Sequence, residues 1–154
     1  LQLVHDRPAL LWVAGDPKLV AQTRAVSVVG TRRPSDEGRR QATKIATDLA
    51  GNGFVVLAGL AAGIDTVAHQ ATVRAGGRTV AVIGTGLCRA YPAENTVLQA
   101  ELARDHAVVS PFWPEDRPSP ERFRRYRRCS PPSRRTVRPR CQCYSVQGAR
   151  FRHP

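Results

Sequence analysis

The sequence predicts an α/β fold built on a parallel sheet, and three segments carry that prediction. In each, a short apolar run rich in β-branched residues ends on a glycine-bearing turn. Val26-Ser27-Val28-Val29 leads into Gly30-Thr31-Arg32-Arg33, and Phe54-Val55-Val56-Leu57 into Gly59-Leu60-Ala61-Ala62-Gly63-Ile64-Asp65. The third run, Thr79–Ile83, leads into Gly84-Thr85-Gly86-Leu87. Runs of this length and branching suit strands buried on both faces. Strand and helical pattern alternate with short connections, which argues for right-handed crossovers. Glycine loops at the carboxyl ends of such strands can hold a phosphate.

Taken in order, residues 1–24 form an opening segment, with apolar Ala9-Leu10-Leu11-Trp12-Val13-Ala14 closed by the turn signal Gly15-Asp16-Pro17. The first strand is expected at about Ala25–Val29. Ser35 then suits an N-cap, and Asp36 and Glu37 in the first turn suit the helix dipole. That helix carries Ile45, Ala46 and Leu49 on one face and stops at Gly51-Asn52-Gly53. A second strand follows at about Phe54–Ala58. Asp65 caps or begins the next helix, whose inner face is Ile64, Val67, Ala68 and Ala71 and which ends at Gly76-Gly77. After the third strand, a helix near Glu94–Arg104 carries Val97, Leu98 and Leu102, and a fourth strand is Ala107–Ser110. Pro111, Pro114, Pro118 and Pro120 then break regular structure. From Cys129 to Pro154 no segment offers a buried face, so this part is read as disordered or poorly packed.

The chain has 154 residues, about one domain, and a net charge of +12. That charge is unevenly placed. Residues 1–120 hold 13 Lys and Arg against 11 Asp and Glu, whereas residues 121–154 hold 11 Arg against Glu121 alone. The body is nearly neutral, so an argument for nucleic-acid binding must rest on local arginines. The sequence begins at Leu1 and contains no Met, and it is expected to start inside a longer protein or at a differently assigned start. No apolar run is long enough to span a membrane. Asp6, Arg7, Asp16 and Lys18 interrupt any secretory signal, which leaves a cytoplasmic location as the default.

The ordered series Gly30-Thr31-Arg32, then Gly59 to Asp65 with His69, then Gly84-Thr85-Gly86-Leu87 with Tyr91-Pro92 and Glu94-Asn95, resembles the DNA-processing protein A (DprA/Smf) family over roughly residues 8–128. The resemblance implies a Rossmann-like parallel sheet with helices on both faces, here incomplete and followed by a disordered basic tail. It further implies single-stranded DNA binding, a homodimer, and loading of the RecA recombinase during natural transformation. Two departures stand out. The family's Ser-Glu-aromatic-Pro segment reads Ser110-Pro111-Phe112-Trp113-Pro114 here, without the acid. Its Phe-x-x-Arg-Asn-Arg helix start reads Phe123-Arg124-Arg125-Tyr126-Arg127, after which the likeness collapses at Cys129. An abrupt switch to Arg/Pro/Ser/Cys-rich text is what a frame shift in a GC-rich gene would produce. The segment 129–154 is therefore expected to be out-of-frame or disordered, and the chain a truncated copy.

Each motif has a chemical reading and a plainer one. Gly30 lets backbone approach an anion, Thr31 offers a hydroxyl, and Arg32, ahead of Arg33, offers a bidentate fork; an ordinary turn with solvated arginines is the alternative. Gly59 and Gly63 form a second loop, though close strand–helix packing also wants glycine. Asp65 is read as a structural cap and His69, four residues on, as its partner before a catalytic base. Gly84, Thr85 and Gly86 could turn N–H groups to a phosphate, with Tyr91 stacking on a base and Asn95 beside it, or Tyr91 and Asn95 could merely pack the loop and start a helix. Phe123 and Arg125, in the run of arginines with interleaved aromatics, suit a single strand with splayed bases, although charge runs are usually solvated.

Cys141-x-Cys143 with Cys129 lacks zinc spacing, and no metal or cofactor is expected. No nucleophile–base pair or catalytic carboxylate pair emerges, so an enzyme is not expected. The rival readings are a nucleotide-binding phosphoribohydrolase of related fold, whose Pro-Gly-Gly-x-Gly-Thr-x-x-Glu loop is not reproduced, and a non-functional fragment.

Overall fold

The computed structural model of the chain describes residues 8 and 10–119 together with one strand at 141–146. Its elements run β1 (Trp12–Gly15), α1 (Pro17–Val20), β2 (Ala25–Gly30), α2 (Asp36–Gly51), β3 (Val55–Ala58), α3 (Ile64–Arg74), β4 (Arg78–Val82), a 3₁₀ turn (Ala93–Asn95), α4 (Thr96–Asp105), β5 (Ala107–Ser110) and β6 (Cys141–Val146). The sheet order is β1-β5-β4-β3-β2-β6. Strands β2 to β5 are parallel neighbours in chain order, as the alternating pattern predicts.

Alternation along each strand divides the core between the two sheet faces. Val28 and Val56 pack with Ala42 and Ala46 of α2 and Ile64, Ala68 and Ala71 of α3. Ala81 and Val108 extend that face against Leu98 and Leu102 of α4. On the opposite face Val55, Val80, Ala107 and Val109 pack against Leu19 of α1. Helices therefore lie on both faces. The expected cap at Ser35 is formed, its hydroxyl accepting from Gly38 N at 3.2 Å. Asp16 caps α1 in the same way, accepting from Lys18 N at 2.9 Å, with Pro17 in the first turn.

Three findings differ from expectation. The opening segment contributes a strand: β1 pairs antiparallel with β5, Trp12 opposite Ser110 and Gly15 opposite Ala107. A four-residue apolar piece whose partner lies at the far end of the sheet leaves no local signal. Second, Val97 is 80% exposed. The α-helix begins only at Thr96, and Leu98 and Leu102, four apart, form its buried stripe beside Val97. Third, within the basic tail Cys141–Val146 is a strand parallel to β2, with Ala25 opposite Cys141 and Gly30 opposite Val146. The segment is too short and polar to announce itself; it lies along the otherwise unpaired edge of β2. The rest of the tail, with its out-of-frame reading, lies outside the described residues.

Candidate nucleic-acid interface

Because β2 to β5 are parallel, their carboxyl ends share one rim, and all three glycine turns stand on it as predicted. The turns differ in what they leave accessible. After β2, Thr31, Arg32 and Arg33 are exposed. The Thr31 hydroxyl accepts from Arg33 N at 3.2 Å, which folds the turn back on itself, and the Thr31 carbonyl accepts from Ile64 N at 3.2 Å. Gly63 makes that junction possible. It holds φ +90°, and a Cβ there would strike the Thr31 carbonyl oxygen and come within 2.8 Å of Arg32 backbone carbons. At Gly30 a Cβ would lie 2.6 Å from Ile64 Cγ1, so the start of α3 seats directly on the end of β2. Here glycine serves close backbone packing, the plainer of the two readings, and that packing presents the arginines.

Asp65 does not cap its own helix; the N-cap of α3 is Gly63, without a side-chain bond. The buried Asp65 carboxylate turns back instead and accepts from Gly59 N at 3.0 Å. Burial pushes its carboxyl above the usual range, opposed by N–H groups of Gly59, Ala61 and Gly30 and by the Arg32 charge. An internal carboxylate thus occupies the place where the motif predicts a phosphate against the Gly30 and Gly59 N–H groups. The loop it secures includes Leu60, buried at φ +56°. Backbone in the left-handed region is costly for leucine and persists where its surroundings fix it. Asn95 does so from across the rim, with Nδ2 donating to the Leu60 carbonyl and to Thr66 Oγ1, both at 2.9 Å. Asn95, read from the sequence as a DNA contact, is buried, and its amide nitrogen is committed to these bonds.

The third turn is packed inward. Gly84, Thr85 and Gly86 are buried beneath the loop after β5. Gly86 N donates to the Asp116 carbonyl at 3.0 Å and Cys88 N to the Pro114 carbonyl at 2.8 Å. Thr85 Oγ1 donates to the Arg89 carbonyl, and Ser110 Oγ to the Thr85 carbonyl at 2.6 Å. A Cβ on Gly86 would collide with the carbonyl oxygens of Trp113 and Pro114. The glycines admit a covering loop rather than an anion, and it is the flanking Cys88, Arg89 and Tyr91 that reach solvent. Phe123 and Arg125 lie outside the described residues.

His69 is not paired with Asp65, because that carboxylate faces the preceding loop. Its Nδ1 lies 2.7 Å from Thr79 Oγ1, and the Thr79 hydroxyl donates to the Val56 carbonyl at 2.7 Å. With that proton spent on Val56, Nδ1–H is the donor to Thr79. Burial lowers the imidazole pKa to about 3, against a contrary pull from the Ala58 carbonyl. His69 is a neutral core group bridging α3 and β4. Among the described residues no group of three or more His, Cys, Asp or Glu is placed to hold a metal ion, and no helix is long and apolar enough to cross a membrane. The residues that sequence reasoning missed are Arg89 and the indoles. Trp12 and Trp113 are the chain's two tryptophans, and their rings meet at the rim, 5.1 Å apart. Nothing in the sequence pairs them until β1 is placed beside β5.

Comparison with known proteins agrees with this architecture. The family model for DNA recombination-mediator protein A matches residues 1–134. A DNA processing protein DprA of Bacillus subtilis is 36% identical over 123 residues, covering 80% of this chain and 41% of that protein. The crystal structure of DNA processing protein A from Streptococcus pneumoniae superposes with a TM-score of 0.76 at 39% identity, covering 81% of this chain and 44% of that one. A Helicobacter pylori DNA processing protein A, whose structure was described for its single-stranded DNA binding mode, superposes with a TM-score of 0.71 at 30% identity, covering 78% and 54%. The chain thus spans about two-fifths of the Bacillus relative's length.

Proposed function

The chain belongs to the DNA recombination-mediator protein A family, and on that premise we propose that it binds single-stranded DNA along the carboxyl rim of its sheet. The observation that carries this is the exposed Thr31-Arg32-Arg33 turn, held at the rim by Gly63 and the Ile64 N–Thr31 O bond. A guanidinium offers a planar fork to a phosphate, and backbone phosphates are what a sequence-indifferent binder grips. With the Gly59 and Gly86 N–H groups engaged internally, the arginines take up the phosphate and the glycines act as scaffold. The same reading places the chain in DNA processing during natural transformation, acting as a homodimer in the cytoplasm to hand a strand to a RecA-type recombinase. It assigns no catalytic step.

The test is oligo-dT affinity at two salt concentrations. Wild type should bind without releasing bases and weaken steeply with salt. Arg32→Ala should lose about tenfold, the worth of one charge-assisted hydrogen bond, and shallow the salt slope by about one. Unchanged affinity and slope in an Arg32→Ala, Arg33→Ala double variant would refute the proposal. Free base released from a nucleoside monophosphate would favour the phosphoribohydrolase reading.

A further inference from the structure

Resting on that single-strand reading, we propose that Trp113, backed by Trp12, is a base-stacking platform at the opposite end of the rim from Arg32. Trp113 is 63% exposed, an unusual setting for an indole with so much apolar surface to hide. It is also held in place. Its ring lies against Trp12 with centroids 5.1 Å apart at 47°. Its backbone N donates to the Asp116 carboxylate at 3.2 Å. The loop that carries it is tied down through Gly86 N to the Asp116 carbonyl and Cys88 N to the Pro114 carbonyl. An aromatic face fixed before binding loses little conformational freedom on contact.

Position supports the assignment. β5 stands three strand spacings from β2, about 14 Å at the usual separation, and the antiparallel β1 brings Trp12 to the same edge. Between the two ends the loop after β4 presents exposed Arg89 and Tyr91. A strand with its phosphates on Arg32 and Arg33 that crosses the rim meets a cation and two aromatic faces in succession. Glu115 and Asp116 follow Pro114 shortly after Trp113 and outweigh Arg117, so this end suits a phosphate less well than the Arg32-Arg33 end. What it offers a strand is the indole, and every nucleobase has a face to lay on it.

The test compares oligo-dT with an abasic oligomer of equal length and charge on the wild-type chain, then repeats oligo-dT binding with Trp113→Ala and Trp113→Phe, each checked for fold by far-UV circular dichroism. Support requires that oligo-dT bind more tightly than the abasic strand and quench indole emission. Trp113→Ala should lose about fivefold or more, the worth of one stacked base, with the same salt slope, and Trp113→Phe should retain most of the affinity. Equal affinity for dT and abasic strands overturns the platform while leaving the arginine reading intact, as does an unchanged Trp113→Ala. Failure of wild type to bind either strand overturns both. Where Trp113→Ala fails to fold, wild type alone still overturns the platform, either by equal dT and abasic affinity or by dT binding that leaves indole emission unchanged.

Discussion

Replacing Gly63 with alanine tests how the first two glycine loops are joined. Gly63 holds φ +90° and ψ −125°, a region that costs an L-residue about 1–3 kcal/mol. Its new Cβ would fall on the Thr31 carbonyl oxygen and 2.8 Å from the Arg32 Cα and carbonyl carbon, where ordinary carbon contacts lie at about 3.5 Å or more. The Thr31–Arg32 turn must retreat. Doing so overpacks its far side, at about 1–3 kcal/mol, and strains the Ile64 N–Thr31 O bond, worth about 1 kcal/mol. The combined loss is about 3–7 kcal/mol, a large share of the roughly 5–15 kcal/mol that holds a domain folded. Urea unfolding followed by far-UV circular dichroism measures it. Gly51→Ala is the matched control: at the end of α2 a Cβ meets nothing within 4 Å, and the change should stabilise by about 0.5 kcal/mol. A Gly63→Ala chain within about 1 kcal/mol of wild type would refute the argument that glycine is required there by backbone meeting backbone.

Two further outcomes follow from buried polar groups. His69 holds its imidazole at about 3 against about 6.5 in an unfolded chain. The unfolded state therefore takes up the proton first, and stability should fall as pH drops below about 6.5, by up to about 4–5 kcal/mol near pH 3. His106, also lowered by burial, adds in the same direction, while Asp65, raised by burial, opposes the decline only as pH nears the carboxylate range. Urea midpoints across this window should slope less in His69→Leu; equal slopes would remove His69 as the cause. Asn95→Ala should cost about 1–3 kcal/mol by leaving the Leu60 carbonyl without a donor. Asn95→Asp should cost more at neutral pH, because an anionic oxygen would then face that carbonyl. An Asp variant as stable as Ala in the same titration would show that the Leu60 loop does not depend on this donor.

What the sequence makes legible is what neighbours in the chain decide. Ser35 followed by Asp36 and Glu37 specifies a helix start by itself, and Gly51-Asn52-Gly53 its end. The strand–helix alternation then dictates that successive turns fall on one rim. Contacts across the sheet are not legible. Asp65 and His69 have the spacing of a helical pair, yet their side chains turn to different partners, Asp65 to Gly59 in the loop after β3 and His69 to Thr79 on β4. Gly84-Thr85-Gly86 has the look of an anion loop until Pro114 and Asp116 settle on it from the loop after β5. Asn95 looks like the start of a helix with a side chain to spare, because Leu60 and Thr66, its partners, lie some thirty residues earlier. In each case a distant segment competes successfully for the polar group.

The antiparallel seat of β1 bears on the order in which the molecule assembles. From β2 to β5, every strand finds its partner in the next one synthesised, so that unit can zip up as it leaves the ribosome. Trp12–Gly15 has no such neighbour among the described residues: its mate, β5, is the last strand of that unit to emerge. That strand must idle until the repeat behind it is complete, then close a ring around nearly the whole of it. Long closures of this kind are slow, and the docking of β1 is expected to be among the final events of folding.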